Sequence, residues 1–321
     1  MQKYGISMKV LVTGASGFVG GALVTSLRQQ GYDVTAVVRR SNDEKKVVAL
    51  GDFTEKTDWS TVLKDQHCVI HAAARVHVMK EQSADPLSVF RHVNVDATIR
   101  LAQQAIDAGV KRFIFISSIK VNGEQTQTGH SFSSSDKPCP QDPYGISKLE
   151  AEQALANLCE GSSMELVILR PPLVYGPGVK GNFASLLKLV RIGLPLPFGG
   201  IQNKRSLVAR DNLISLIETC IHHKHAANHV FLVSDGDDLS TSELIHALAD
   251  AQRKRVVLLP CPTSLFTLAA RVLGKRSVTE RLFGSLQIDM SHTQTQLDWK
   301  PPVSAKAAIL ACVNDSEGTL P

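Results

Sequence analysis

Three features are weak or missing in the sequence, and each absence excludes a class of protein. No segment of the 321 residues is a long uncharged apolar run, so we expect no membrane span. The net charge of +5 is not gathered into a dense basic patch, which argues against nucleic-acid binding and suits a small anionic substrate. The six cysteines form no Cys-x-x-Cys pair, so we expect neither a metal site nor a redox dithiol.

The N-terminal segment, Met1–Met8, also lacks the apolar core of a secretion signal. Unpaired cysteines suit a reducing compartment, in which they serve as small buried apolar residues. We therefore expect a cytoplasmic protein. The chain is long enough for one large α/β domain and a smaller second part.

The strongest positive pattern lies in Lys9–Arg40, which reads as strand, glycine turn, helix and strand within one βαβ unit. Gly14 allows a tight turn, Gly17 lets the backbone approach a pyrophosphate, and Gly20 lets the helix lie close to the strand. The helix N-terminus adds unpaired N–H groups and a positive dipole end. We predict that this turn binds a dinucleotide; the alternative is a helix-packing turn in an ordinary α/β fold.

The end of the second strand lacks the acidic residue that accepts hydrogen bonds from the adenosine ribose of NAD. Arg39 and Arg40 stand there instead. A guanidinium binds a 2′-phosphate through charge-assisted hydrogen bonds, whereas an acid would repel it. We therefore predict NADP(H) in preference to NAD(H). The alternative is that Arg39 begins a solvated loop and that NAD binds through main-chain groups.

A candidate reaction centre follows a buried apolar strand that ends at Ser118. Ligands of open α/β sheets bind beyond the carboxyl ends of the strands. Asp142 then caps a helix on which Tyr144 and Lys148 are four residues apart and share one face. An ammonium group favours phenolate and lowers the tyrosine pKa from about 10. We predict that Tyr144 moves a proton and that Ser118 orients the reacting oxygen; the alternative is a tyrosine and a lysine on an ordinary amphipathic helix.

These motifs together resemble the extended short-chain dehydrogenase/reductase superfamily, in its nucleotide-sugar epimerase/dehydratase branch. The spacing Gly-x-x-Gly-x-x-Gly, the serine five residues before Gly123 and the pair Tyr-x-x-x-Lys carry the resemblance. Further matches are the segments Cys68–Ala74, Asn94–Thr98, Arg170–Gly178 and Leu297–Pro301. In the last of these, Asp replaces the glycine of the family pattern.

The resemblance implies a Rossmann-type α/β fold, that is, a doubly wound parallel sheet with a smaller C-terminal substrate domain. We expect the dinucleotide-binding domain over residues 1–175, with a strand near residues 230–234 returning to it, and a substrate domain mainly over residues 176–321. Helices predicted near Pro86–Ala108 and Pro143–Leu158 would pair across a two-fold axis, as in dimers of the family, so we expect a homodimer.

The resemblance also assigns binding roles residue by residue. The residues implied for the cofactor are Gly14, Ser16, Gly17, Phe18, Val19, Arg39, Asp52, Ala72, Ala73, Tyr144, Lys148 and Pro171. The residues implied for a UDP-sugar are Arg75, Ser118, Asn182, Leu196, Arg205 and Arg281. Ser118, Tyr144 and Lys148 are the implied catalytic set. We interpret His71 as a core histidine.

One departure from the family pattern excludes one of the family's reactions. Dehydratases carry Asp-Glu directly after the catalytic serine, whereas this chain has Ile119-Lys120, so 4,6-dehydration lacks its acid and base. We expect a reductase of a UDP-4-keto-6-deoxy-N-acetylhexosamine, which forms UDP-N-acetylquinovosamine with NADPH. The alternative is a UDP-glucose/UDP-N-acetylglucosamine 4-epimerase that retains NAD.

Two observations favour the reductase. Arg39 suits NADPH, and the segments Arg75–Met79 and Pro195–Gly199 are similar to a group of O-antigen (lipopolysaccharide) biosynthesis enzymes. A third class, a non-catalytic dinucleotide-sensing module, is disfavoured by the complete set of Ser118, Tyr144 and Lys148.

Overall fold

A seven-stranded parallel sheet forms the centre of the protein. The structure is a computed structural model that describes residues 8–40, 46–76, 85–127, 129–260 and 282–318. The strands are β1 (Lys9–Thr13), β2 (Asp33–Val38), β3 (Val47–Ala49), β4 (Cys68–His71), β5 (Arg112–Ile116), β6 (Glu165–Arg170) and β10 (His229–Leu232). Their order is β10-β6-β5-β4-β1-β2-β3, and every neighbouring pair is parallel. The strand order reverses between β1 and β4, where a doubly wound Rossmann-type sheet opens its ligand crevice.

Helices cover both faces of this sheet because its strands are apolar on both sides. Val10 and Val12 belong to one buried cluster, and Leu11 between them belongs to the cluster on the opposite face. The helices of the described residues are α1 (Phe18–Gln29), α2 (Ser60–Leu63), α3 (Pro86–Arg91), α4 (Ala97–Asp107), α5 (Pro143–Cys159), α6 (Gly181–Ile192), α7 (Arg210–His222), α8 (Thr241–Ala251), α9 (Ser291–Leu297) and α10 (Ala305–Gly318). The first cluster joins α1 and α7 to the sheet, and the second joins α4 and α5 to it.

The C-terminal part adds two small sheets and a third buried cluster. Strands β7 (Leu173–Tyr175), β9 (Arg205–Ala209) and β11 (Asp238–Leu239) form one sheet, and β8 (Leu196–Gly199) pairs with β12 (Leu258–Pro260) in the other. The third cluster contains Tyr175 and apolar residues of α6, α8 and α10. This separate core supports our proposal that a substrate domain begins near residue 176, although β10 returns to the large sheet beside β6.

The helix predicted over Pro86–Ala108 is divided, and this is a correction to the sequence analysis. A π-helical turn at His92–Asp96 separates α3 from α4. Asn94 in this turn is 1% exposed; its side chain accepts from the Arg75 N–H (2.8 Å) and donates to the Ser147 hydroxyl (3.0 Å). Neither proline nor glycine interrupts the run, so only these tertiary hydrogen bonds reveal the wider turn.

Two short strands depend on partners that local sequence does not reveal. The edge strand β3 has three residues and pairs with β2. The strand β8 has four residues and pairs with β12. Strands this short are recognised by their partners.

Within the described ranges, no helix has both the length and the apolar character needed to cross a bilayer. The same ranges contain no group of three or more His, Cys, Asp or Glu side chains placed to hold a metal ion.

Candidate active site

The glycine turn between β1 and α1 is too tight for side chains at Gly14 and Gly20. Gly14 has φ +67°, and a β-carbon built on it would lie 2.7 Å from the Ala73 nitrogen. A β-carbon on Gly20 would lie 2.2 Å from the Gly14 carbonyl oxygen. Gly17 is the N-cap of α1, and no side chain caps that helix end. The turn therefore leaves main-chain N–H groups and a positive helix end for an anion, which fits the diphosphate of a dinucleotide.

The strand beside the turn is anchored by a buried hydrogen-bonded chain. His71 is 3% exposed; its ring nitrogens contact the Thr13 hydroxyl at 2.7 Å and the Thr98 hydroxyl at 2.9 Å. The Ala73 N–H donates to the same Thr13 oxygen at 3.2 Å. Burial, with a smaller effect of the Lys148 charge, lowers the pKa of His71 to about 3, so the ring is neutral at pH 7. His71 is thus a core residue that holds the Ala72–Ala73 backbone beside the glycine turn.

Arg39, which follows β2, and Asp52, which follows β3, are both predicted cofactor residues and lie beside each other. The Arg39 guanidinium is 3.9 Å from the Asp52 carboxylate, and the side chains are 73% and 86% exposed. An exposed ion pair of this kind contributes only about 0–1 kcal/mol. Because the pair is weak, exchanging Asp52 for a phosphate would cost Arg39 little.

Ser118, Tyr144 and Lys148 are brought together at the carboxyl end of β5. Ser118 begins a 3₁₀ turn (Ile119–Val121), and its side chain is hydrogen-bonded to Tyr144. Tyr144 is placed by the start of α5, where the Asp142 side chain accepts from the Gly145 N–H at 2.7 Å and Pro143 is the first helical residue. The predicted cap is therefore present. The assignment of these three residues as catalytic stays a prediction, but they form one cluster at the crevice.

Lys148 is the most deeply buried member of this cluster, with 1% exposure. Its ammonium donates to the Ile116 carbonyl oxygen at 2.7 Å and lies 4.2 Å from the centre of the Phe115 ring. Burial lowers the pKa of Lys148 to about 7, although the Glu152 charge opposes this shift. The ammonium is therefore held at the end of β5 and is unusually ready to lose its proton.

The pKa of Tyr144 differs from the sequence-based expectation. We expected Lys148 to lower it, but burial raises it to about 12; the Asp142 charge adds to the rise, and the Ser118 hydrogen bond opposes it. The difference arises because loss of solvent, which destabilises a phenolate, is the largest effect on Tyr144, whereas the Lys148 ammonium is hydrogen-bonded to the Ile116 carbonyl oxygen. The phenol needs additional positive charge nearby before it ionises near neutral pH.

A buried network that sequence reasoning missed supports the cluster from below. Glu152 accepts from the Ser117 hydroxyl and from Arg170, whose Nη2 lies 2.5 Å away. Arg170 also donates to Asn122 Oδ1 at 2.9 Å, and Asn122 donates to the Ser133 carbonyl oxygen at 2.8 Å. Two features of the sequence could have predicted this network. Glu152 is one turn after Lys148 on the same helix face, and Arg170 closes an apolar strand.

The predicted substrate residues lie on several different elements of the fold. Arg75 follows β4; its N–H donates to Asn94 Oδ1 at 2.8 Å, and its carbonyl oxygen accepts from Asn94 Nδ2 at 3.1 Å. Asn182 is exposed in the first turn of α6, and Arg205 begins β9, where its guanidinium donates to the Gly284 carbonyl oxygen at 2.8 Å. Arg281 lies outside the described residues. Arg75, Asn182 and Arg205 thus stay substrate-binding predictions.

Leu196 is buried in the third cluster. Its side chain is 4% exposed, while its N–H donates to the Val257 carbonyl oxygen at 2.9 Å. Because β8 turns the side chain inward, we assign the side chain to the core. Leu196 stays a substrate-binding prediction that its main chain would have to satisfy.

The remaining predicted cofactor residues line the same crevice. Ser16 is exposed in the glycine turn, and Phe18 and Val19 begin α1, where the Arg210 guanidinium lies 5.3 Å from the centre of the Phe18 ring. Pro171 follows β6, and its carbonyl oxygen accepts from the Ile119 N–H at 2.9 Å. Each of these residues borders the carboxyl ends of β1, β5 or β6, where the crevice opens.

Comparison with known proteins identifies the family. The profile of the NAD dependent epimerase/dehydratase family matches residues 10–234, which is more than half of the chain. The chain belongs to this family. It is similar to a UDP-glucose 4-epimerase of Vibrio cholerae, with 52% identity over 297 residues that cover 91% of this chain and 90% of that protein.

Solved structures agree with this family in fold. A UDP-glucuronic acid 4-epimerase of Bacillus cereus, in complex with NAD, has a TM-score of 0.78 at 22% identity and covers 97% of this chain and 99% of its own. A UDP-glucose 4-epimerase of Thermotoga maritima, with UDP-glucose, has a TM-score of 0.77 at 23% identity, covering 98% and 100%. The family member described here therefore has the Rossmann-type fold of these epimerases.

Proposed function

We propose that this protein is a UDP-sugar 4-epimerase that keeps one NAD bound through each turnover. The observation that carries the proposal is the 52% identity to a UDP-glucose 4-epimerase over nine-tenths of both chains. The cluster of Ser118, Tyr144 and Lys148 at the crevice supplies residues suited to this chemistry. The epimerase thus takes precedence over the 4-keto reductase that we expected from the sequence.

The residues act on the oxygen and the position of the sugar. Tyr144 takes the proton of the C4 hydroxyl and later returns it, and Ser118 hydrogen-bonds the same oxygen through both steps. The dinucleotide, when bound, accepts a hydride from a sugar carbon and gives it back. Arg205 holds the diphosphate because its planar fork matches phosphate oxygens. A fixed diphosphate allows the sugar to turn between the two steps without leaving the site.

NAD is proposed over NADP because an epimerase regains its hydride and has no need of the NADPH pool. The family description and the NAD in the Bacillus cereus structure support this choice. Arg39 is the observation that keeps the reductase as a second candidate, since its weak pair with Asp52 leaves a guanidinium for a 2′-phosphate.

The deciding experiment tests whether the hydride stays on a bound dinucleotide or is supplied by added NADPH. The purified protein is incubated with UDP-glucose and with UDP-N-acetylglucosamine without added cofactor, and the galacto epimers are quantified; the dinucleotide released on denaturation is identified. We expect epimerisation and bound NAD. A protein that carries no dinucleotide, forms no epimer and oxidises NADPH stoichiometrically with UDP-4-keto-6-deoxy-N-acetylglucosamine is the reductase, and the proposal then fails.

A cytoplasmic location, a role in O-antigen synthesis and a homodimer are also proposals. The helices expected at the dimer axis pack on each other within the chain, and the exposed Arg91–Glu150 ion pair links α3 to α5. Light scattering of the eluted protein measures the mass and tests the dimer.

A further inference from the structure

Lys120 forms a three-membered ion cluster to which the proposed reaction assigns no role. It occupies the position that is acidic in the dehydratases of the family. Its ammonium donates to Glu124 Oε1 at 2.7 Å and to Asp142 Oδ2. The three side chains are only 22–26% exposed, so the two carboxylates and the ammonium are largely withdrawn from water. Such a pair is far more sensitive to loss of one partner than an exposed pair.

The cluster joins the two elements that carry the reacting pair. Lys120 lies in the 3₁₀ turn that begins at Ser118, and Asp142 is the N-cap of the helix that carries Tyr144. Asp142 receives Lys120 on one oxygen and the Gly145 N–H on the other. The segments are in direct contact, since a β-carbon on Gly145 would lie 2.9 Å from the Lys120 carbonyl oxygen.

We propose that Lys120 is a positioning residue, whose bridge to Asp142 holds the Ser118 turn against the first turn of α5 and neutralises the carboxylate two residues before Tyr144. The inference rests on the proposed roles of Ser118 and Tyr144 as the pair that binds and protonates the sugar oxygen. A lysine at this position therefore replaces the acid of a dehydratase with a structural cation.

The electrostatic surroundings show why the neutralisation matters. The Asp142 charge raises the pKa of Tyr144, and the Ser118 hydrogen bond lowers it. Other charged or titratable groups on the elements around α5 have their own partners: Arg91 with Glu150, His92 with Glu55, Arg170 with Glu152, Lys148 with the Ile116 carbonyl, and neutral His71 with Thr13 and Thr98. Lys120, which Asp142 shares with Glu124, is thus the cation that offsets the Asp142 charge.

The test is a double-mutant cycle read through the pH dependence of kcat. Lys120→Met leaves the Asp142 charge unpaired, so the acidic limb of the profile should move up by about one pH unit, the lower end of the shifts that a neighbouring charge causes. Asp142→Asn keeps a capping oxygen but removes the charge, so the limb should move down. The acidic limb of the double variant should lie close to that of the wild type. Lys120→Arg keeps the positive charge, so its limb should lie much closer to the wild type than that of Lys120→Met.

Lys9→Met is the matched control, because Lys9 forms an exposed pair with Asp65 (3.3 Å) at the opposite end of the sheet. The pH profile of kcat of this variant should match that of the wild type. A merely structural role for Lys120 would lower kcat in both single variants without opposite shifts, and that result overturns the inference.

The rate is measured with whichever of the two reactions the protein catalyses, so loss of the epimerase proposal does not remove the test. Tyr144→Phe is included in the same series. Wild-type turnover in that variant refutes the proposed role of Tyr144 itself. If Tyr144→Phe is inactive but the pH profiles of kcat of the Lys120 and Asp142 variants match the wild type, only the inference about Lys120 is refuted.

Discussion

At the scale of single residues, the environment of a side chain decides its chemistry more than its type does. Tyr144 and Lys148 are four residues apart, yet burial shifts their pKa values in opposite directions, to about 12 and about 7. The phenol loses solvent for its charged form, and so does the ammonium. Burial therefore disfavours the charged form of both groups, although one is an acid and the other a base.

Replacement of Tyr144 by phenylalanine tests the proton carrier. Since only one hydroxyl is removed, dinucleotide binding should persist while kcat falls by about 10²–10⁴-fold, the range of general acid–base catalysis. Turnover and bound dinucleotide are measured on the same preparation. Tyr32→Phe is the control, since Tyr32 contacts His222 at 2.6 Å between α1 and α7, away from the crevice. Equal rates in the two variants would contradict the assignment.

The charge at Arg39 should set the preference between the two dinucleotides. Arg39→Asp removes a guanidinium whose charged hydrogen bond to a 2′-phosphate is worth roughly 1.5–3 kcal/mol, or about tenfold or more in affinity. The ratio of the dissociation constants of NADPH and NADH should rise by at least that factor. Arg40→Asp makes the same change of charge one residue later. If both variants shift the ratio equally, Arg39 has no specific contact with the cofactor.

At the scale of elements, close backbone approach builds the crevice. The glycine turn, the strand after His71 and the N-terminus of α1 approach within distances that exclude a single methyl group at Gly14 or Gly20. The same principle holds at Gly145, where α5 contacts the turn after Ser118. Small residues at these points let two main chains lie side by side, which places N–H groups at the ligand.

Gly20→Ala tests this close approach. Its β-carbon would lie 2.2 Å from the Gly14 carbonyl oxygen, which belongs to the main chain and cannot move aside as a flexible side chain would. We expect the free energy of unfolding to fall by about 1–3 kcal/mol, as in overpacked cores, with loss of bound dinucleotide. Gly21→Ala on the same helix meets its nearest atom only at 3.2 Å and is the control. Retention of wild-type dinucleotide content in Gly20→Ala would contradict the role of the turn.

At the scale of the whole molecule, buried polar groups couple the site to global stability. His71 is held neutral in the core, with its pKa lowered to about 3 from 6.5. Below pH 6.5 the unfolded chain therefore binds a proton that the folded chain refuses, so acid favours unfolding. The contribution is constant above about pH 6.5 and is lost progressively as the pH falls toward 3.

This linkage predicts a measurable slope. Between pH 7 and pH 5 the wild type should lose about 2 kcal/mol more unfolding free energy than His71→Gln, since each pH unit below 6.5 is worth about 1.4 kcal/mol. Urea titrations at the two pH values give the difference. His71→Gln will be less stable at both values, so the change with pH is the quantity compared. Parallel losses would show that His71 accepts a proton in the folded state.

The sequence by itself determined the βαβ unit, the glycine turn and the helix cap at Asp142, all of which the structure contains. These features depend on contacts within a few residues, where side-chain type dictates backbone conformation. The family resemblance extended this to the Rossmann-type fold and the crevice, because the motifs occupy consecutive strand ends.

Tertiary structure alone decided the rest. The π turn at Asn94, the inward side chain of Leu196, the Glu152–Arg170 network and the raised pKa of Tyr144 all depend on partners far away in sequence. Hydrogen-bond geometry and loss of solvent exist only once distant segments have packed together. Local pattern can therefore place a residue at the site, whereas only the packed fold determines its contacts and its protonation.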